Sequence, residues 1–119
     1  MYREIKVGKE SIPMKATGAT PIRYRHVFKE DVLNEFSKVE GNYSVAVDTI
    51  SKLAYIMACA ADDSVDMTKL NMEGYIDWLD KFEPFDLTNA ADAIVDLYVG
   101  NTEGLSEVKK KARGAVKGN

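Results

Sequence analysis

The side chains able to do chemistry in this chain are few and scattered. The one histidine, His26, stands between Arg25 and Val27 with no nucleophile or paired base in view, so a boundary position fits it better than general-base work. The one cysteine, Cys59, lies in the apolar run Ala54-Tyr55-Ile56-Met57-Ala58-Cys59-Ala60 and is expected to be buried as a small hydrophobe. Asp62, Ser64, Asp66 and Glu73 fall on places one, three, five and twelve of a calcium-loop template. The sixth place, where the sharp turn needs glycine, is Met67, and the eighth is Lys69 instead of an apolar residue, so that spacing reads as accidental. The glycines form neither phosphate-loop pattern, and one Cys with one His does not make a zinc site. No catalytic residue, metal or cofactor is assigned.

Two features suit binding. Arg23-Tyr24-Arg25-His26 is a basic and aromatic cluster; Tyr24 is either a core residue between solvated arginines or part of a partner contact. Lys109-Lys110-Lys111, with Arg113 and Lys117, makes a basic tail that is either a solvated extension or an arm for an acidic partner. With Trp78, the candidate partner-contact residues are Arg23, Tyr24, Arg25, Trp78, Lys109, Lys110 and Lys111.

These residues need a scaffold, and 119 residues with 45% apolar and 29% charged content suit one folded domain. A net charge of −3 argues against general nucleic-acid binding. No stretch of about 18 apolar residues occurs, and the N-terminus lacks an apolar signal core, so no membrane span and a cytoplasmic location are expected.

The expected class is α+β, mainly helical: a hairpin over residues 2–17 packed on a bundle of about four helices over 21–100, with a flexible basic tail over 101–119. Alternation in Tyr2–Val7, a turn at Gly8-Lys9-Glu10 and a second strand from Ser11 to Thr17 make the hairpin, with Pro13 at an edge or a bulge. Two strands are marginal alone, so the hairpin must rest on the helices or on a second subunit, which leaves a homo-oligomer open.

Thr20 is the expected cap of a first helix opening at Pro21, with Tyr24, Phe28, Val32 and Phe36 as its stripe and Gly41-Asn42 as its stop. A second helix over about 44–61 is apolar widely enough to be central. A third covers 71–82, with Trp78 beside its stripe and partly buried. A fourth follows Asp86 or Thr88 as its cap, with Leu87, Ala91, Ile94, Leu97 and Tyr98 sharing a face, and closes at Gly100.

With these elements in order, three segments resemble the tail assembly chaperones of long-tailed phages of Gram-positive bacteria. Ile12-Pro13-Met14-Lys15-Ala16-Thr17-Gly18-Ala19-Thr20-Pro21-Ile22-Arg23-Tyr24-Arg25, followed by Phe28-Lys29-Glu30-Asp31, is similar to that family's opening. Ala54-Tyr55-Ile56-Met57-Ala58 resembles its second-helix segment, and Tyr75-Ile76-Asp77-Trp78-Leu79-Asp80-Lys81-Phe82-Glu83-Pro84-Phe85-Asp86 its "W-L-D-x-F-E-x-F" stretch. The likeness covers roughly residues 4–98 and departs at Tyr98, where many relatives carry Trp.

The resemblance implies a protein of the host bacterial cytoplasm, absent from the mature virion. It would coat the helical tape measure protein, keep it soluble and recruit tail tube subunits. The family is often made in two lengths through a ribosomal frameshift, and the Lys109-Lys110-Lys111 run suits an A-rich stretch of codons. A tape measure helix exposes a long apolar stripe before assembly, and many modest contacts along one rod would multiply. The rival reading is a small nucleic-acid-binding regulator using Arg23, Arg25 and the tail; an enzyme ranks below both.

Overall fold

In this computed structural model, which describes residues 1–38 and 43–100, an N-terminal hairpin packs on helices as the class reading expects. Strands β1 (Tyr2–Val7) and β2 (Glu10–Lys15) pair antiparallel in unbroken register from Tyr2↔Lys15 to Val7↔Glu10. The turn is the two residues Gly8-Lys9, and positive φ at Gly8 alone (62°) is the type II′ pattern that suits the right-handed strand twist. A Cβ on Gly8 would run into the Asp86 carboxylate, so packing as well as φ requires glycine here. Ile5, Val7, Ile12 and Met14 share the face turned to the helices, while Tyr2, Glu4, Lys6, Ser11, Pro13 and Lys15 face out.

Pro13 sits at an edge without a bulge. Met1 and Ala16 exchange both backbone hydrogen bonds (2.6 and 2.7 Å), and bonded and non-bonded pairs alternate from there. The Glu4↔Pro13 pair is therefore a non-bonded one, and the proline nitrogen faces the free edge of β2 where no ladder bond is lost.

The helices are α1 (Thr20–Phe28), α2 (Val32–Ser37), α3 (Tyr43–Ala60), α4 (Met72–Leu79), α5 (Asp86–Asn89) and α6 (Ala91–Val99). The central one is α3. It contacts β2 and the other five helices, and every residue from Thr49 to Cys59 is buried. Cys59 is among them, as its apolar setting requires.

Two expected helices are each divided. The first breaks at Lys29, which adopts the left-handed conformation (φ 59°), and restarts at Asp31, whose carboxylate accepts from the Leu33 and Asn34 amides at 3.0 and 3.2 Å. A local cap outcompetes helix continuation there, yet Tyr24, Phe28, Val32 and Phe36 all remain buried. The fourth divides at Ala90 into α5 and α6. Neither Asp86 nor Thr88 is its cap: both lie within α5, Phe85 holds the cap place, and the Asp86 carboxylate turns back to accept from the Glu83 amide at 2.9 Å. Nor is Thr20 the cap of α1. Ala19 holds that place with no side-chain hydrogen bond, while the Thr20 hydroxyl accepts from the Thr17 amide at 2.9 Å. The third helix, α4, is regular only to Leu79 and tightens through i→i+3 bonds to Phe82. The expected stop at Gly41-Asn42 and the tail over 101–119 lie outside the described residues.

Candidate binding groove and the residues around it

The break between α1 and α2 has an electrostatic consequence. Glu30 is turned onto Lys52 of α3 (3.0 Å), which also pairs with Asp48 one turn back (2.9 Å) and lies 5.3 Å from the centre of the Phe28 ring. Burial alone would lower the Lys52 pKa; hydrogen bonds and charge from Asp48 and Glu30 outweigh it and hold the ammonium above its ordinary value. Sequence reading passed over this lysine. Its signal was an Asp48/Lys52 pair at i,i+4 inside an otherwise apolar helix.

Of the candidate contact residues, Tyr24 presents no surface. It is 0% exposed, packed edge-on against Phe28 with centroids 5.2 Å apart, and its hydroxyl has no hydrogen-bond partner. Thr49 lies close enough to ease the ionisation of that hydroxyl without meeting hydrogen-bond geometry. Burial, then the Glu30 and Asp48 carboxylates, push its pKa far up. A contact role for Tyr24 is therefore corrected to a core role: the ring fills the space between α1 and α3. An unpartnered buried hydroxyl is a liability, so Tyr24→Phe is expected to hold or raise stability by up to about 1 kcal/mol. Urea unfolding of the two proteins checks this, and a clear loss of stability would mean that the hydroxyl has a partner.

Arg25 is exposed beside His26. Arg23, half-buried, lines a small cavity of about 180 Å³ with Lys15, Thr17, Thr20 and Met67. Trp78 lies elsewhere, so the candidate residues do not converge on one site. Lys109, Lys110 and Lys111 lie outside the described residues.

Trp78 lines an open groove of about 540 Å³ between the free edge of β2, the C-terminal half of α3 and α4. Ile12 and Pro13 form one side, Tyr55, Ala58 and Cys59 the floor, and Gly74, Asp77, Trp78 and Lys81 the other side; Asp62, Asp63 and Val65 close one end. The α4 wall stands because Asn71 caps the helix, its side chain accepting from the Gly74 amide at 2.9 Å. Gly74 is required by close approach: a Cβ there would lie 2.7 Å from the Tyr55 hydroxyl.

Behind the wall, aromatic rings form a chain from the core outward. Tyr24 meets Phe28, Phe28 meets Tyr75 (5.0 Å), Tyr75 meets Tyr55 (5.5 Å), Tyr55 meets Trp78 (5.6 Å) and Trp78 meets Phe82 (4.9 Å). Trp78 is half-buried, as its place beside the stripe predicts. Burial pushes the Tyr55 phenol up to about 12 and raises the Cys59 thiol, so neither is poised to react at neutral pH.

The groove surround is acidic. Residues 62–86 hold eight Asp or Glu against two Lys, in a chain whose net charge is only −3. The Asp62 and Asp66 carboxylates each accept from a hydroxyl and an amide two residues on, Ser64 (2.7 and 3.0 Å) and Thr68 (2.6 and 2.9 Å), which lowers both pKa values. These are local turns, and among the described residues no three His, Cys, Asp or Glu side chains gather to hold a metal ion. No helix among the described residues is long and apolar enough to cross a membrane.

No protein-family model matches this chain, and neither a curated protein nor a solved structure does.

Proposed function

We propose that this chain is a phage tail assembly chaperone that binds the tape measure protein, keeps it soluble and recruits tail tube subunits during tail assembly. One observation carries the reading. The groove is lined from all three segments that resemble the family: Ile12 and Pro13 from the first, Tyr55 and Ala58 from the second, Asp77, Trp78 and Lys81 from the third. Segments distant in sequence thus share one open surface with an apolar floor and a charged rim, which is the chemistry that accepts the apolar stripe of an amphipathic helix. The nucleic-acid alternative gains nothing from this surface, since its acidic rim would repel phosphates.

The test is co-expression with the tape measure protein of the same genome. The tape measure protein is expected to become soluble and to copurify with this chain, and Trp78→Ala is expected to weaken capture about tenfold or more, as for an aromatic anchor. An insoluble tape measure protein with no complex recovered would sink the reading.

A further inference from the structure

The groove is acidic, and the chain carries its own basic counterpart. Among the described residues, Asp63 and Asp77 on the rim take part in no salt bridge, and Lys81 is the one cation lining the groove. Beyond Gly100 run nineteen residues with five Lys or Arg against two Glu. In their sequence Leu105, Val108, Ala112 and Val116 recur at spacings of three and four, with Lys109, Lys110, Lys111, Arg113 and Lys117 between and around them. We propose that this segment, 101–119, seats in the groove of its own chain when no partner is bound, its apolar residues toward Tyr55 and Trp78 and its lysines toward Asp62, Asp63 and Asp77.

Reach permits it. Gly100 closes α6 against the Met1 side chain, since a Cβ there would stand 3.2 Å from the Met1 sulfur. Met1 pairs with Ala16, and Pro13 of the groove is three residues along the same strand, on the order of 10 Å away. Nine residues from Gly100 to Lys109 span up to about 30 Å extended. Each exposed ion pair is weak alone. Tethering makes several sufficient, because a short linker holds the segment at an effective concentration in about the millimolar range. A docked tail would keep the groove's apolar floor covered until a better ligand displaces it, and this holds whether or not that ligand is a tape measure protein.

The experiment uses the full chain alone, dilute and verified as monomer, treated with a zero-length carbodiimide crosslinker and mapped by peptide mass spectrometry. Crosslinks from Lys109–Lys111 to Asp62, Asp63 or Asp77 are expected, at a yield independent of protein concentration. High salt and the triple change Lys109→Glu, Lys110→Glu, Lys111→Glu are each expected to abolish them and to shift emission of the single tryptophan, Trp78, to the red. Combining that triple change with Asp62→Lys, Asp63→Lys and Asp77→Lys is expected to restore the crosslinks with polarity reversed. Crosslinks only between copies, crosslinks spread evenly over acidic residues outside the groove, or unmoved Trp78 emission would each overturn the proposal.

Discussion

Titrated with alkali, the folded chain is expected to unfold cooperatively above pH 10, with far-ultraviolet dichroism and tyrosinate absorbance changing together. Tyr24, Tyr55, Tyr75 and Tyr98 are all held neutral beyond the ordinary phenol value of 10.0, in each case first by burial and then by neighbouring acidic groups. In the unfolded chain these four phenols ionise near that ordinary value. The native state then binds more protons than the unfolded one, so stability is intact below about pH 10 and falls as pH rises through the window up to the folded values. Each fully ionised unfolded phenol contributes a slope of about 1.4 kcal/mol per pH unit, so Tyr24, Tyr55 and Tyr75, the three with large shifts, together approach about 4 kcal/mol per unit. A loss of about 8 kcal/mol over two pH units exceeds the lower half of the usual stability range of roughly 5–15 kcal/mol.

Lys52 acts with the same sign. Its raised pKa means that the pairs to Asp48 and Glu30 stabilise the fold below the unfolded lysine value and are lost as pH climbs through the folded one. Tyr24→Phe, which removes one titrating phenol, is expected to move the alkaline midpoint upward. Gradual ionisation of the buried tyrosines with dichroism unchanged would refute this account, because it would mean that the phenols reach solvent without unfolding.

How much of this was legible in the sequence depended on the range of the forces involved. The hairpin was readable because alternation, a Gly-containing turn and an edge proline are all local, but the turn closes on Gly8-Lys9 alone, and Glu10, expected in the turn, pairs with Val7 and sets the register. The central place of α3 was readable from an apolar surface too broad for one stripe. The interruption at Lys29-Glu30-Asp31 was not, since Phe28, Val32 and Phe36 keep helical spacing across it and only the Asp31 cap betrays the restart. Tyr24 read equally well as core or contact, because a ring in a basic cluster carries no sign of its direction until α3 is placed against it. The groove was invisible for a similar reason: Pro13, Tyr55 and Trp78 are distant in sequence and meet only through packing. Trp78 was picked out correctly as half-buried, but its neighbours in the groove were not.

Tyr75→Ala and Trp78→Ala, three residues apart on α4, are expected to separate core from surface. Tyr75 is 5% exposed and is the ring joining Phe28 to Tyr55, so its loss leaves a cavity between α1, α3 and α4 and uncouples two aromatic contacts. About 3–5 kcal/mol of stability should go with it, as for other buried aromatic truncations. Trp78 touches Tyr55 and Phe82 but keeps one side open to the groove, and a half-buried ring loses less, about 1–2 kcal/mol. Denaturant unfolding measures both, and capture of the apolar-helix client measures what stability does not. If the groove is a binding surface, Trp78→Ala harms capture out of proportion to its modest effect on folding, whereas Tyr75→Ala harms capture only as far as it unfolds the domain. Equal losses of stability in the two variants would make the α4 wall part of the core and remove Trp78 from the proposed contact surface.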